Sequence, residues 1–227
     1  MPATAATDPS FITTAADFIQ NGGSFMYIIL VVLGIGLGLT AERWLTLQRA
    51  KTSNKKFWDQ VFPALQKGQF KQAMELSKES KTEAGQILSY GLSRTSTARR
   101  AEEIEMAMEE GLMDVVPRLE QRTPYIATLA NVATLLGLLG TIIGLIQAFT
   151  AVANADPAEK ADLLSASISV AMNTTALGLI AAIPLLLSFA YLQSKTGTVV
   201  DSLEQISIRF ANIYRQARSA AENKSAA

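Results

Sequence analysis

The sequence predicts an all-α membrane protein with three transmembrane helices, in which the long second and third spans extend into a cytoplasmic helical domain. Three observations carry this reading. Nearly half of the 227 residues are apolar and only 18 % are charged, too hydrophobic a balance for an ordinary soluble domain. The apolar residues collect in three almost uncharged blocks, where a soluble core would spread them periodically. The basic residues are distributed asymmetrically around those blocks, as membrane topology requires.

The first block, Phe25 to Ala41, is entered through Asn21-Gly22-Gly23 and closed by Glu42-Arg43-Trp44. About 17 residues is the short end of a span, and Trp44 suits the membrane interface as an aromatic anchor. Residues 1–24 carry Asp8 and Asp17 but no Lys or Arg, so the basic flank of a cleaved signal peptide is missing and the block reads as a retained span. The second block is uncharged from Thr123 to Ala155 and the third from Leu163 to Ser194. About 32 residues at 1.5 Å each make roughly 48 Å of helix. That exceeds a hydrocarbon core of roughly 30 Å, so both must tilt or project beyond it.

Arg43, Arg49, Lys51, Lys55 and Lys56 follow the first block directly, which by the positive-inside rule places the N-terminus outside and, after three spans, the C-terminus inside. The expected organisation is a periplasmic N-terminal segment 1–24, spans at 25–42, 123–153 and 163–194, a cytoplasmic helical domain 43–122, a periplasmic loop 154–162 and a cytoplasmic helix and tail 195–227. On this assignment 19 of the 20 Lys and Arg residues fall on cytoplasmic segments, Lys160 being the exception.

The segment between the first two spans reads as helices broken at Gly68, Gly85, Gly91 and a Ser93–Ala98 turn. Lys55–Lys67 and Gln69–Lys81 are amphipathic, with Phe57, Val61 and Leu65, then Phe70, Ala73, Met74 and Ser77, at helical spacing. From Ala98 to Glu120 a stripe of Ile104, Met108, Leu112 and Val115 runs among many glutamates. Such a segment is a packed helical domain with solvated charges before it is a binding surface. Pro117 and Pro124 allow a nearly continuous rod into the membrane with at most a kink. After Ser194 the pattern Val199, Leu203, Ile206, Phe210, Tyr214 extends the third helix, and residues 219–227 read as a disordered tail.

The chain has no histidine and no cysteine, which removes the usual zinc, haem and iron–sulfur ligands and the common nucleophile–base pairs. It has no phosphate-cradling glycine loop. Nothing points to an enzyme or to a cofactor, and energy, if used, must come from a gradient.

In the second span Thr134, Gly137, Thr141, Gly144 and Ala148 recur at steps of three and four, and Gly140 to Gly144 is a small-xxx-small pattern. Ser167, Ala171, Thr174, Thr175, Gly178 and Ala182 do the same in the third. Spacing alone is met by tight helix packing with hydroxyls bonded to the carbonyl four residues back. The sharper reading is that Thr141, Thr174, Thr175 and Asn173 line a polar path for a proton or a transient sodium ion, with Gly137, Gly140, Gly144, Gly178 and Pro184 shaping the packing and the lumen. Neither long span contains Asp, Glu, Lys or Arg. A proton relay needs a titratable group at membrane depth, so a partner helix must supply one.

Pro117-Arg118-Leu119-Glu120 followed by LANVATLLGLLGTI (Leu129–Ile142) resembles the second-span signature of the ExbB/TolQ/MotA family, and AMNTTALGLIAAIP (Ala171–Pro184) its third-span signature. Asn21-Gly22-Gly23, Glu42-Arg43 and GQFKQA (Gly68–Ala73) also resemble the family, so the similarity covers roughly residues 18–215, and it is nearest to ExbB. The resemblance implies a homo-oligomeric, pentameric ring in the bacterial inner membrane, its lumen bounded by spans two and three with span one outside. It further implies a pair of single-span ExbD/TolR-like partners supplying a membrane aspartate, and work done on a TonB-like energy receiver. Thr141 and Thr175 fall where the family keeps its ion-path threonines. Two departures stand out: many ExbB members carry a glutamate where this chain has Val170, and Asn173-Thr174 precedes Thr175 where several proton-driven members have Leu-Ala. The added hydroxyl resembles sodium-driven relatives. A TolQ-like or gliding-type motor and a passive membrane scaffold remain alternatives, while a self-sufficient transporter is disfavoured by three spans without an inverted repeat.

Overall fold

The computed structural model describes residues 18, 23–98 and 100–226, and the expectations for residues 1–17 and 19–22, including most of the N-terminal segment and Asn21-Gly22, lie outside the described residues. Among the described residues from Gly23 on, six helices follow one another: α1 Ser24–Gln66, α2 Phe70–Glu79, α3 Glu83–Arg94, α4 Ala101–Glu120, α5 Thr123–Ala153 and α6 Lys160–Ala226. Among the described residues 90 % are helical and none lies in a strand. Three runs, Ser24–Gln66, Ala101–Ala153 and Lys160–Ala220, each hold a window long and apolar enough to cross a membrane. Only 17, 22 and 33 % of those windows is buried within the chain. Side chains such as Val31, Leu135, Ile146 and Leu187 are more than half exposed, a surface that water disfavours and that lipid or neighbouring helices must cover.

The molecule divides into two compact units, residues 1–40 with 124–189 and residues 41–123 with 190–227. In the first, α1 presents Met26 and Ile29 inward, both fully buried. A side chain added at Gly23 would meet Val170, and one added at Gly36 would run into Leu185. Residue numbers rise together along these contacts, so α1 and α6 run parallel here.

The second unit has a continuous apolar core. The stripes Phe57–Val61–Leu65 of α1, Ile104–Met108–Val115 of α4 and Val199–Leu203–Phe210 of α6 are all buried in it, with Ile87 and Leu88 of α3. Phe70 meets Phe210 edge to face at 6.4 Å, a favoured aromatic geometry. The helix boundaries differ from the sequence reading at four places. Gly85 and Gly91 do not break the chain but lie buried inside α3, Gly91 because any side chain would strike Met108 and Phe210. The break between α2 and α3, expected after Lys81 and at Gly85, falls at residues 80–82 and is made by Thr82, whose hydroxyl accepts from the Gly85 amide at 3.1 Å as an N-cap. Gly68, with φ of +70°, does end α1. The tail expected to be disordered from residue 219 continues α6 to Ala226, since Ala, Glu and Lys there favour helix.

The fourth difference is the rod. α4 stops at Glu120 and α5 begins at Thr123, with Arg122 in the left-handed region at φ 68°. Continuing the helix would set the Pro124 ring against the Glu120 carbonyl, so the break falls one turn ahead of the proline. Arg43, only 3 % exposed, anchors this corner: its Nη2 donates to the Leu119 carbonyl and its Nε to Thr123 Oγ1 at 3.3 Å. A cation at the C-terminal end of α4 satisfies an orphan carbonyl and the negative end of the helix dipole. Burial lowers the Arg43 pKa, the Glu42 carboxylate raises it and Arg122 lowers it again, yet a guanidinium stays ionised. Arg122 pairs with Glu42 at 2.9 Å, both partners exposed, and such a pair adds little. Arg43→Met is therefore expected to cost about 1.5–3 kcal/mol, the worth of hydrogen bonds to a charged group. Thermal unfolding in detergent measures this, and Glu42→Gln is expected to shift the transition far less.

Trp44 stands 43 % exposed, with the Lys195 ammonium 5.7 Å from its ring and 5.2 Å from that of Tyr191. Lys195 is the first charge after the long uncharged stretch of α6, so a cation held over two aromatic rings marks that end, as interfacial anchors do.

Candidate functional site

Within the first unit the α5–α6 contact is built by residues with little or no side chain. A Cβ placed on Gly178 would lie 2.8 Å from the Ala133 carbonyl oxygen and 3.0 Å from Gly137 Cα, and one on Gly137 would lie 3.2 Å from Thr175 Cα. A Cβ on Gly144 would meet Ala171 at 2.9 Å. Numbers rise along α5 as they fall along α6, so the two helices are antiparallel and touch backbone to backbone, as small residues permit.

Two hydroxyls sit in this contact. Thr141 Oγ1 and Thr175 Oγ1 hydrogen-bond to each other. Thr175 Oγ1 is also placed to donate across the helices to the Gly137 carbonyl at 2.9 Å. Thr141 Oγ1 lies 3.2 Å from the same carbonyl and 3.3 Å from that of Ala171 on α6. Two hydroxyl protons must serve these three kinds of contact, since each threonine donates once. Either Thr141 donates to Thr175, which donates to Gly137, or Thr175 donates to Thr141, which donates to Ala171. Both orders satisfy the geometry, and rotation of both hydroxyls interconverts them.

Of the four residues expected to line a polar path, the structure brings Thr141 and Thr175 together. Thr174, the residue before Thr175 and about 100° round α6 from it, is 2 % exposed; its hydroxyl donates back to the Val170 carbonyl at 3.1 Å and its methyl fills the space left open by Gly140. Asn173 is half-buried and contributes none of these bonds. Gly137, Gly140, Gly144 and Gly178 all lie in the helix contact, whereas Pro184 is exposed and α6 runs through it unbroken. Sequence reasoning missed the carbonyls of Gly137 and Ala171, which no residue-type pattern reveals. It missed Phe25 of α1 too, whose Cβ lies 3.4 Å from the position of a Cβ on Gly140.

Chemically this is a cluster of two hydroxyl and two carbonyl oxygens without charge. Such oxygens orient or pass a proton, or ligate a hard cation, but cannot store charge, and no group of His, Cys, Asp or Glu able to hold a metal occurs among the described residues.

Residues 79–205 match the profile of the MotA/TolQ/ExbB proton channel family. The chain is 28 % identical over 199 residues to a putative biopolymer transport protein ExbB homolog of Methanothermobacter thermautotrophicus, covering 87 % of this chain and 69 % of that protein. It is 32 % identical over 112 residues to the Tol-Pal system protein TolQ of Haemophilus influenzae, covering 49 % of each. A putative biopolymer transport protein ExbB-like 1 of Synechocystis sp. is 27 % identical over 217 residues, 93 % of this chain and 84 % of that one. With the profile matching more than half of its length, and with three apolar helices able to cross a membrane, the chain is a membrane protein that belongs to the MotA/TolQ/ExbB proton channel family.

Proposed function

We propose that this chain is the ExbB-like subunit of an inner-membrane motor, a pentameric ring that couples cation flow to mechanical energisation of a TonB-like protein for outer-membrane nutrient import. The observation that carries the proposal is the Thr141–Thr175 hydroxyl pair, set in an inter-helix contact of two spans that contain no Asp, Glu, Lys or Arg. A scaffold has no use for two hydroxyls in register; an ion path does, provided a carboxylate arrives from outside. A single-span ExbD/TolR-like partner with a membrane aspartate meets that need, and the N-terminus then faces the periplasm and the C-terminus the cytoplasm. TolQ-like work in envelope constriction is the second reading, favoured by the similarity to TolQ.

The proton is the cation that the family's description favours. Sodium is the alternative that the four neutral oxygens would also accommodate. The test is a sodium titration at fixed proton gradient in cells expressing the chain with its single-span partner. A proton motor is expected to be indifferent to sodium and to lose activity in Thr175→Ala while keeping most of it in Thr174→Ala. Activity that tracks sodium and is lost in both variants establishes the sodium motor instead.

A further inference from the structure

The unit formed by residues 41–123 and 190–227 is strongly polarised although the whole chain is neutral, with 20 basic and 20 acidic residues. α4 carries seven carboxylates in 20 residues against one arginine. Beside it, between α4 and α6, lies an open groove of about 790 Å³ lined by Leu112, Val116 and Ile208 and by Glu105, Glu109 and Glu204, with Arg215 as its one basic residue. Met113 and Ile208 there are 68 % and 61 % exposed. Glu105 is paired with Arg215, whereas Glu109 and Glu204 form no ion pair among the described residues.

The other flank of α6 is the reverse. A cavity of about 200 Å³ between α1 and α6 is lined by Lys51, Lys55 and Arg209, with Trp58 and Ile206, and by no acidic residue. Asn54, 2 % exposed, also lines it. Its Oδ1 accepts from the Ala84 amide at 3.0 Å, but its Nδ2 has no partner. A buried amide donor left unpaired costs free energy and calls for an acceptor. At about 100° per residue the α6 positions of the basic cavity and of the acidic groove lie roughly 140° apart across the exposed side of the helix, with the buried stripe on the opposite, wider arc.

We propose that these are the two halves of one interface, the acidic groove of one copy receiving the basic α1–α6 face of the next. A soluble anion would satisfy the cavity but leave Met113 and Ile208 bare. A lipid phosphate does not reach it, since Lys51 to Lys55 stand 10 to 14 residues beyond Ala41, about 15–20 Å along the helix and past the headgroup layer. A second copy covers the apolar groove and neutralises both faces in a single contact. Two different faces meeting head to tail make a heterologous interface, which closes into a ring when the rotation allows it. The assignment rests on the ring reading for its closure.

The chain has no native cysteine, so cross-linking in the full-length protein tests the contact directly. With a short bismaleimide, Lys55→Cys/Glu109→Cys is expected to give a ladder of covalent oligomers. Either single variant alone should stay monomeric, and a mixture of the two single variants should give dimers. Native mass measurement in detergent is made on the same samples. An intact ring without the ladder, or a single variant that cross-links to itself, overturns this interface while leaving the ring standing; absence of any oligomer sinks the ring itself. As a second arm, Glu109→Lys/Glu204→Lys should weaken assembly at least tenfold and Lys55→Glu/Arg209→Glu in the same chain should restore it. Failure of that restoration, or an inorganic-phosphate-dependent rise in melting temperature lost in Lys55→Gln/Arg209→Gln, assigns the cavity to another ligand.

Discussion

Cells carrying Thr175→Ala are expected to lose ion-driven activity while the protein accumulates and assembles as the wild type does. The two halves of this expectation rest on different magnitudes. The Gly137 carbonyl that Thr175 bonds also accepts the helical amide of Thr141 in α5, so alanine leaves no orphaned backbone group. Thr141 retains the Gly137 and Ala171 carbonyls as partners, and the fold should lose about 1 kcal/mol, the net worth of one hydrogen bond. For an ion crossing at membrane depth the alternative to this hydroxyl is a site with one polar group fewer, at about 1–3 kcal/mol. A barrier raised by that amount slows flow roughly 5- to 150-fold. Thr175→Ser, which keeps the oxygen, should retain activity, and Thr175→Val, which keeps the shape, should not. Equal activity in serine and valine variants at normal protein levels would return the residue to packing and favour the scaffold.

Periodicity made the helical character legible, because burying one face of a helix imposes a 3.6-residue repeat that survives in the sequence whatever the partners are. The stripe Val199, Leu203, Ile206, Phe210, Tyr214 is buried throughout. Arg43 illustrates what no such repeat records. Its partners, Leu119 and Thr123, lie 76 and 80 residues away, and nothing local distinguishes it from the exposed Arg49. Glycine misled in both directions. Gly68 supplies a positive φ at a helix end, whereas Gly91 supplies only the absence of a side chain inside a helix, and the two uses look alike in sequence. Thr174 and Thr175 could not be separated by residue type. Being about 100° apart on α6, one turns its methyl to Gly140 and the other its hydroxyl to Gly137.

The α5–α6 contact yields the largest expected effect on stability. At Gly178 an added Cβ would sit 2.8 Å from the Ala133 carbonyl oxygen and 3.0 Å from Gly137 Cα. These are backbone atoms of α5, and no rotamer change relieves the overlap; the helices must separate. Gly178→Ala is expected to cost about 1–3 kcal/mol, the range for overpacking. Gly178→Val adds two methyls and should exceed about 3 kcal/mol, at the extreme of single substitutions, with loss of membrane-inserted, detergent-stable protein. Separation also pulls Thr175 from Gly137, so activity should fall further than protein level in Gly178→Ala. The comparison that isolates the cause is Gly197→Ala, where a Cβ meets nothing within 4 Å. There the only term is helix propensity, and stability should rise by about 0.5–1 kcal/mol. Both variants insert the same atom into the same helix, so opposite shifts in melting temperature would trace the cost at Gly178 to the backbone it touches. A Gly178→Ala protein as stable as Gly197→Ala would mean that α5 and α6 do not meet at Gly137, and the hydroxyl pair would lose its geometry with them.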